Sequence, residues 1–262
     1  MVLILDSESV EVPTSSGAMR MRVFRPKDAS RRYGGIVFFS EIFQLTGPIV
    51  RSAAHLAGLG HVVVAPEVYH ELLPAGTVLE YSPADTARGN ACKTAKPLAA
   101  YDSDAAAAID YLLASEHCNG RVGVAGFCLG GALAFRAALH PAVRAAAVWY
   151  GTDLHRGGLA AAPGEDDTLA RVPELAAGAG AARAPVELLL IFGRADPHVP
   201  REGRDRIRAA LDDAGVAFSW LELHDAQHAF MRDEASYGRY NPELATLTYA
   251  AAAQLFARRL AA

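Results

Sequence analysis

No apolar run in the sequence approaches the roughly 20 residues a membrane-crossing helix needs, so no membrane partner is expected. Cysteine is scarce: Cys92, Cys118 and Cys128 are the only three, an odd number at unrelated spacings. That argues against a disulfide framework, fits a reducing cytoplasm and leaves at least one thiol free. Neither sign of charge dominates. The formal net charge of −4 gives no electrostatic reason to expect nucleic acid or an anionic surface as partner, although a locally positive pocket is compatible with it. No internal repeat and no Pro/Ser-rich linker divides the chain, so residues 1–262 read as one domain. The opening Met1–Asp6 lacks a basic flank and turns acidic at once, so no secretory leader is expected.

What is present suits a compact α/β fold. Apolar residues make up 52% of the chain and charged residues 21%, enough for a sizeable core. Strands are predicted at Glu8–Val12, Met19–Phe24, Gly35–Ser40, Val62–Pro66, Arg121–Gly126, Ala145–Tyr150, Val186–Phe192 and Phe218–Leu223. The first two are polar and alternating, as in an antiparallel edge hairpin turning near Ser16-Gly17. The later ones, such as Ile36-Val37-Phe38-Phe39, are apolar on successive residues, as strands buried on both faces are. Helical patterns fall at Pro48–Leu59, Tyr101–Ala114, Leu129–Leu139, Arg201–Ala214 and Pro242–Leu260. The order implies a mostly parallel, doubly wound sheet with an N-terminal antiparallel edge hairpin and helices on both faces. Two stretches fit this rhythm poorly. Glu67–Lys96 is expected to be a pocket wall, and the role of Thr152–Ala184 stays open.

The most informative segment is Gly126-Phe127-Cys128-Leu129-Gly130-Gly131, between a strand and a helix. A nucleophile elbow requires this strand–turn–helix context, with very small residues two before and two after the nucleophile. Cys128 would then sit at a helix N-terminus, where the dipole favours thiolate, and the N–H of Leu129 would face a developing oxyanion. The alternative is a tight glycine turn around a buried, inert cysteine. Downstream, Asp196 and His228 each follow a predicted strand, in the chain order such hydrolases use. His228 would take the thiol proton and Asp196 would orient the ring. Taken singly, Asp196 reads as a turn former beside Pro197, and His228 as a loop histidine. His198 and His224 compete with His228 as base. A metal site made from His224, His228 and Asp196 lacks a third histidine at ligand spacing.

With Ser40-Glu41-Ile42-Phe43, Val62-Val63 and Ala65-Pro66, the Gly-Phe-Cys-Leu-Gly-Gly run, Gly193–Val199 and His228-Ala229-Phe230-Met231-Arg232, the sequence resembles the dienelactone hydrolase family (carboxymethylenebutenolidases). The resemblance runs from about Phe24 to the C-terminal helix. It implies an α/β-hydrolase that opens enol-lactones through a thioester, with no metal or organic cofactor. It implies that Glu41 accepts the resting thiol's proton, that the N–H of Ile42 is the second oxyanion donor, and that Arg232 holds a substrate carboxylate. Arg88 is the only arginine placed to match the family's second one; His70, Tyr81, Lys93 and Lys96 are alternatives. Tyr150 and Phe43 are expected to wall the pocket. The expected partner is a small ester or lactone that can carry a carboxylate, met by a monomer or small homo-oligomer. Two rivals stay open: a broad esterase or thioesterase with the same residues, and a silent α/β-hydrolase that only binds a small molecule.

Overall fold

The computed structural model describes residues 1–159, 164–176 and 185–261, so part of the Thr152–Ala184 stretch lies outside the described residues. Eight strands form one sheet: β1 (Ile4–Thr14), β2 (Gly17–Pro26), β3 (Tyr33–Phe39), β4 (His61–Pro66), β5 (Cys118–Phe127), β6 (Val143–Trp149), β7 (Glu187–Gly193) and β8 (Phe218–Leu223). Their spatial order is β1-β2-β4-β3-β5-β6-β7-β8. β1 and β2 form the expected edge hairpin, with Thr14 opposite Gly17, and β2 joins β4 antiparallel. From β4 onward every pairing is parallel.

Successive strand residues face opposite sides, which gives the molecule two cores. Ile36 and Phe38 of β3 pack with α1 (Gly47–Gly58) and α6 (Pro242–Leu260) on one face. Val37 and Phe39 pack on the other face with α3 (Leu98–Ala114), α4 (Leu129–Ala137) and α5 (Arg201–Asp213). The continuous apolar runs of the central strands follow from this double burial. No helix among the described residues is long and apolar enough to cross a membrane.

The Glu67–Lys96 stretch is more regular than its sequence suggested. It contains a helix, α2 (Pro83–Ala95), whose polar composition and internal Gly89 conceal it from hydrophobic periodicity. Its start was nevertheless written locally: Ser82 caps it by accepting from the Asp85 N–H at 3.2 Å, Pro83 fills the first turn, and Asp85 suits the dipole. Gly89 is needed because a Cβ there would come 2.6 Å from the Ile42 carbonyl oxygen. The helix can therefore lie directly on the loop after β3. A buried Lys96 ammonium just past α2 bonds to Asp104 at 2.6 Å, Glu71 at 2.7 Å and the Val68 carbonyl at 2.8 Å, locking this region to α3. His70, Glu71 and Asp104 converge as metal ligands would, but the Lys96 ammonium fills their centre.

Candidate active site

Cys128 joins β5 to α4 with φ 57° and ψ −119°, a backbone conformation that non-glycine residues rarely adopt. The neighbouring glycines explain how it is tolerated. A Cβ on Gly126 would collide with the Gly130 carbonyl, and one on Gly130 with the Phe39 carbonyl. The turn therefore closes only with glycine on both sides, and it lifts the Cys128 side chain out of the sheet into a half-open position.

The loops after β7 and β8 meet it there. His228 Nε2 lies 3.1 Å from Cys128 Sγ, and its Nδ1 lies 2.8 Å from Asp196 Oδ2. The other Asp196 oxygen accepts the His198 N–H at 2.8 Å, which fixes the carboxylate. Asp196 and His228 are buried, and Tyr150 packs its ring edge-on behind the imidazole at 5.1 Å. Burial opposes a charge on His228, but the adjacent Cys128 sulfur and the Asp196 carboxylate outweigh it and raise the imidazole to about 10. The imidazole is thus held between the sulfur and the carboxylate. Thr152 adds its hydroxyl 3.9 Å from Sγ, a neighbour nothing in the sequence marked.

Glu41 follows β3 and is buried. It accepts a hydrogen bond from the Tyr81 hydroxyl at 3.2 Å. Among the described residues Sγ bonds to His228 and Thr152, so the resting contact with Glu41 implied by the resemblance is absent from this arrangement. Burial pushes the Glu41 carboxyl above the usual range, opposed chiefly by Arg232 and then by His228. Arg232 is buried with its guanidinium 4.1 Å over the Tyr81 ring, and its Nε has no partner among the described residues. Phe43 meets Tyr81 edge-on at 4.8 Å.

These groups open into a cavity of about 750 Å³, reached by Cys128, His228, Glu41, Ile42, Phe43 and Arg232. Two expected members are absent from its lining. Tyr150 is wholly buried with its ring edge-on to His228, so it packs behind the imidazole instead of walling the pocket. Arg88 is exposed on α2 and points elsewhere. Helical spacing explains this: Pro83, Thr86, Ala87, Asn90 and Lys93 share the cavity face, and Arg88 falls on the opposite side. Arg239 and Arg156 supply the other guanidinium groups instead. Of the rival histidines, His198 meets the His228 ring edge-on at 4.5 Å and reaches the cavity, while His224 sits on the surface against Asp225. Cys92 and Cys118 are buried, and neither lines the cavity.

The dienelactone hydrolase family profile matches residues 19–260. The chain belongs to the dienelactone hydrolase family. It is accordingly a hydrolase of the lactone and ester class. A Saccharomyces cerevisiae protein provisionally named carboxymethylenebutenolidase is 41% identical over 236 residues, covering 88% of this chain and 84% of its own. The carboxymethylenebutenolidase of Pseudomonas putida is 31% identical over 207 residues, covering 77% of this chain and 76% of its own. Among solved structures, a Klebsiella pneumoniae protein provisionally named dienelactone hydrolase superposes with a TM-score of 0.77 at 22% identity, covering 98% of this chain and 99% of its own. A dienelactone hydrolase-like promiscuous phosphotriesterase from metagenomic libraries gives 0.75 at 22% identity, with coverages of 98% and 99%. At that identity the two structures speak for the family's fold alone.

Proposed function

We propose that this dienelactone hydrolase family member opens small lactones and esters by nucleophilic attack of Cys128, through a thioester. The observation that carries this reading is the continuous hydrogen-bonded line from Sγ through the imidazole to a buried carboxylate, with the sulfur facing the cavity. His228 takes the Cys128 thiol proton, the resulting thiolate adds to the carbonyl carbon, and the carbonyl oxygen becomes an anion. The N–H groups of Leu129, free at the first turn of α4, and of Ile42 receive that charge. Collapse breaks the ring C–O bond, and the His228 imidazolium gives its proton to the departing oxygen. The neutral imidazole then takes a proton from water, hydroxide adds to the thioester, and the thiolate leaves with the carboxylic acid released. Asp196 holds the ring in the tautomer both steps need.

Arg232 is the carboxylate receptor in this reading. Its planar fork suits a bidentate contact, and its buried Nε, without a partner among the described residues, is a donor open to an acceptor. An arriving carboxylate shares the Arg232 charge and so weakens the chief influence that opposes protonation of Glu41. The cavity is larger than a single lactone ring requires, which favours esters of some length as well. The test is turnover of a dienelactone and of aryl acetates by the wild type and by Cys128→Ala. A loss of about 10,000-fold or more in kcat is expected for the variant. Undiminished turnover would overturn the assignment of the nucleophile.

A further inference from the structure

The cavity has a direction, and its cations lie at both ends. Helix α2 runs along one wall, and from Pro83 to Lys93 its rise covers about 15 Å. At the N-terminal end, Tyr81 precedes the helix by two residues and carries the Arg232 guanidinium on its ring. At the other end the Lys93 ammonium bonds to Asp153 at 2.6 Å, and Arg156 Nε bonds to the same carboxylate at 2.7 Å. Two cations on one carboxylate leave that end with an excess positive charge. Arg156 is 65% exposed in its side chain and can turn to a ligand, whereas Lys93 and Asp153 are nearly buried and hold its base in place. The reacting sulfur is linked to both poles: Thr152, 3.9 Å from Sγ, is the chain neighbour of Asp153, and His228, 3.1 Å from Sγ, is four residues from Arg232. Lys93, Arg156, Arg232 and Arg239 face the cavity against two carboxylates, Glu41 and Asp153, in a chain whose net charge is −4.

We propose that the substrate is an extended ester anionic on both sides of the scissile carbonyl, with one anion on Arg232 and the other on Arg156 at the Lys93–Asp153 pole. This rests on the hydrolase reading above and adds the class of molecule it serves. A ligand with one anion would fill one pole and leave the second cation solvated; a dianion uses both and places its middle over the sulfur. Carboxylate, phosphate and sulfate groups share the chemistry that the poles select.

Four matched aryl esters test this. The acyl part is a hexanedioic half-ester or its terminal amide, and the alcohol part is 4-carboxyphenol or 4-carbamoylphenol, so each carboxylate is removed without changing size. At low salt each carboxylate is expected to raise kcat/KM about tenfold, and the two gains to multiply. Arg156→Gln is expected to erase one gain and keep the other, and Arg232→Gln to do the reverse. A dianion no better than the best monoanion, or gains untouched by Arg156→Gln, would overturn the proposal. In that event, turnover abolished by Cys128→Ala would leave the hydrolase reading standing. Undiminished turnover by Cys128→Ala would instead strike the nucleophile assignment, and no turnover of any ester would overturn both.

Discussion

Cys128, His228 and Asp196 could be singled out in the sequence because each is constrained by something local, the elbow by its glycines and the partners by following strands in a fixed order, and the structure brings the three within hydrogen-bonding distance. Their bonding distances were not written there, but the residue types were. Thr152, Asp153, Arg156 and Arg239 carried no such mark. They reach the cavity because of where loops fold, and no short pattern encodes that. Glu41 could be placed on a strand end but not given its environment, since burial is a property of the assembled fold. That environment makes a pH-dependent expectation. The Glu41 carboxyl is raised above its ordinary 4.5 mainly by burial, so the folded state prefers it protonated. Its ionisation therefore withdraws stability as pH rises above 4.5, and imposes no penalty below that value. Glu41→Gln is expected to melt higher than wild type at pH 7, with the gap closing as pH falls towards 4.5. A lower melting temperature for the variant at pH 7 would contradict this.

At the level of elements, all eight strands were legible and their ends shifted by only a few residues. Strands buried on both faces leave an apolar signature too dense to miss. The exception was α2, whose buried face is mainly a cavity wall and so has no apolar stripe to betray it. Arg88 was misjudged for the same reason, because without the helix its side could not be known. Two substitutions test how these elements are held. Gly130→Ala sets a methyl group against the Phe39 carbonyl and is expected to cost about 3 kcal/mol, the upper end for overpacking. Lys96→Met leaves the buried Asp104 carboxylate without its cation and is expected to cost about 3–5 kcal/mol. Denaturant midpoints measure both. Losses under 1 kcal/mol would mean, respectively, that the elbow can open and that the Lys96 cluster does not anchor α2.

For the whole molecule, the fold followed from the alternation of elements, yet the distribution of charge did not. A chain of net charge −4 encloses a cavity where four cations face two carboxylates. Sequence totals average over that contrast. An anionic ester is therefore expected to lose kcat/KM as salt rises from low to physiological strength, while a neutral ester of equal size changes little. Equal salt responses for the two would contradict a positive cavity. In the proposed reaction the cavity, the elbow and the buried imidazole together let a single sulfur form and release a thioester. Rapid quenching during turnover of a slow ester, followed by peptide mass spectrometry, tests that directly. The acyl mass is expected on the peptide containing Cys128 and absent from those containing Cys92 and Cys118. Rapid turnover by Cys128→Ala, with the acyl group on another residue, would contradict the account at its centre.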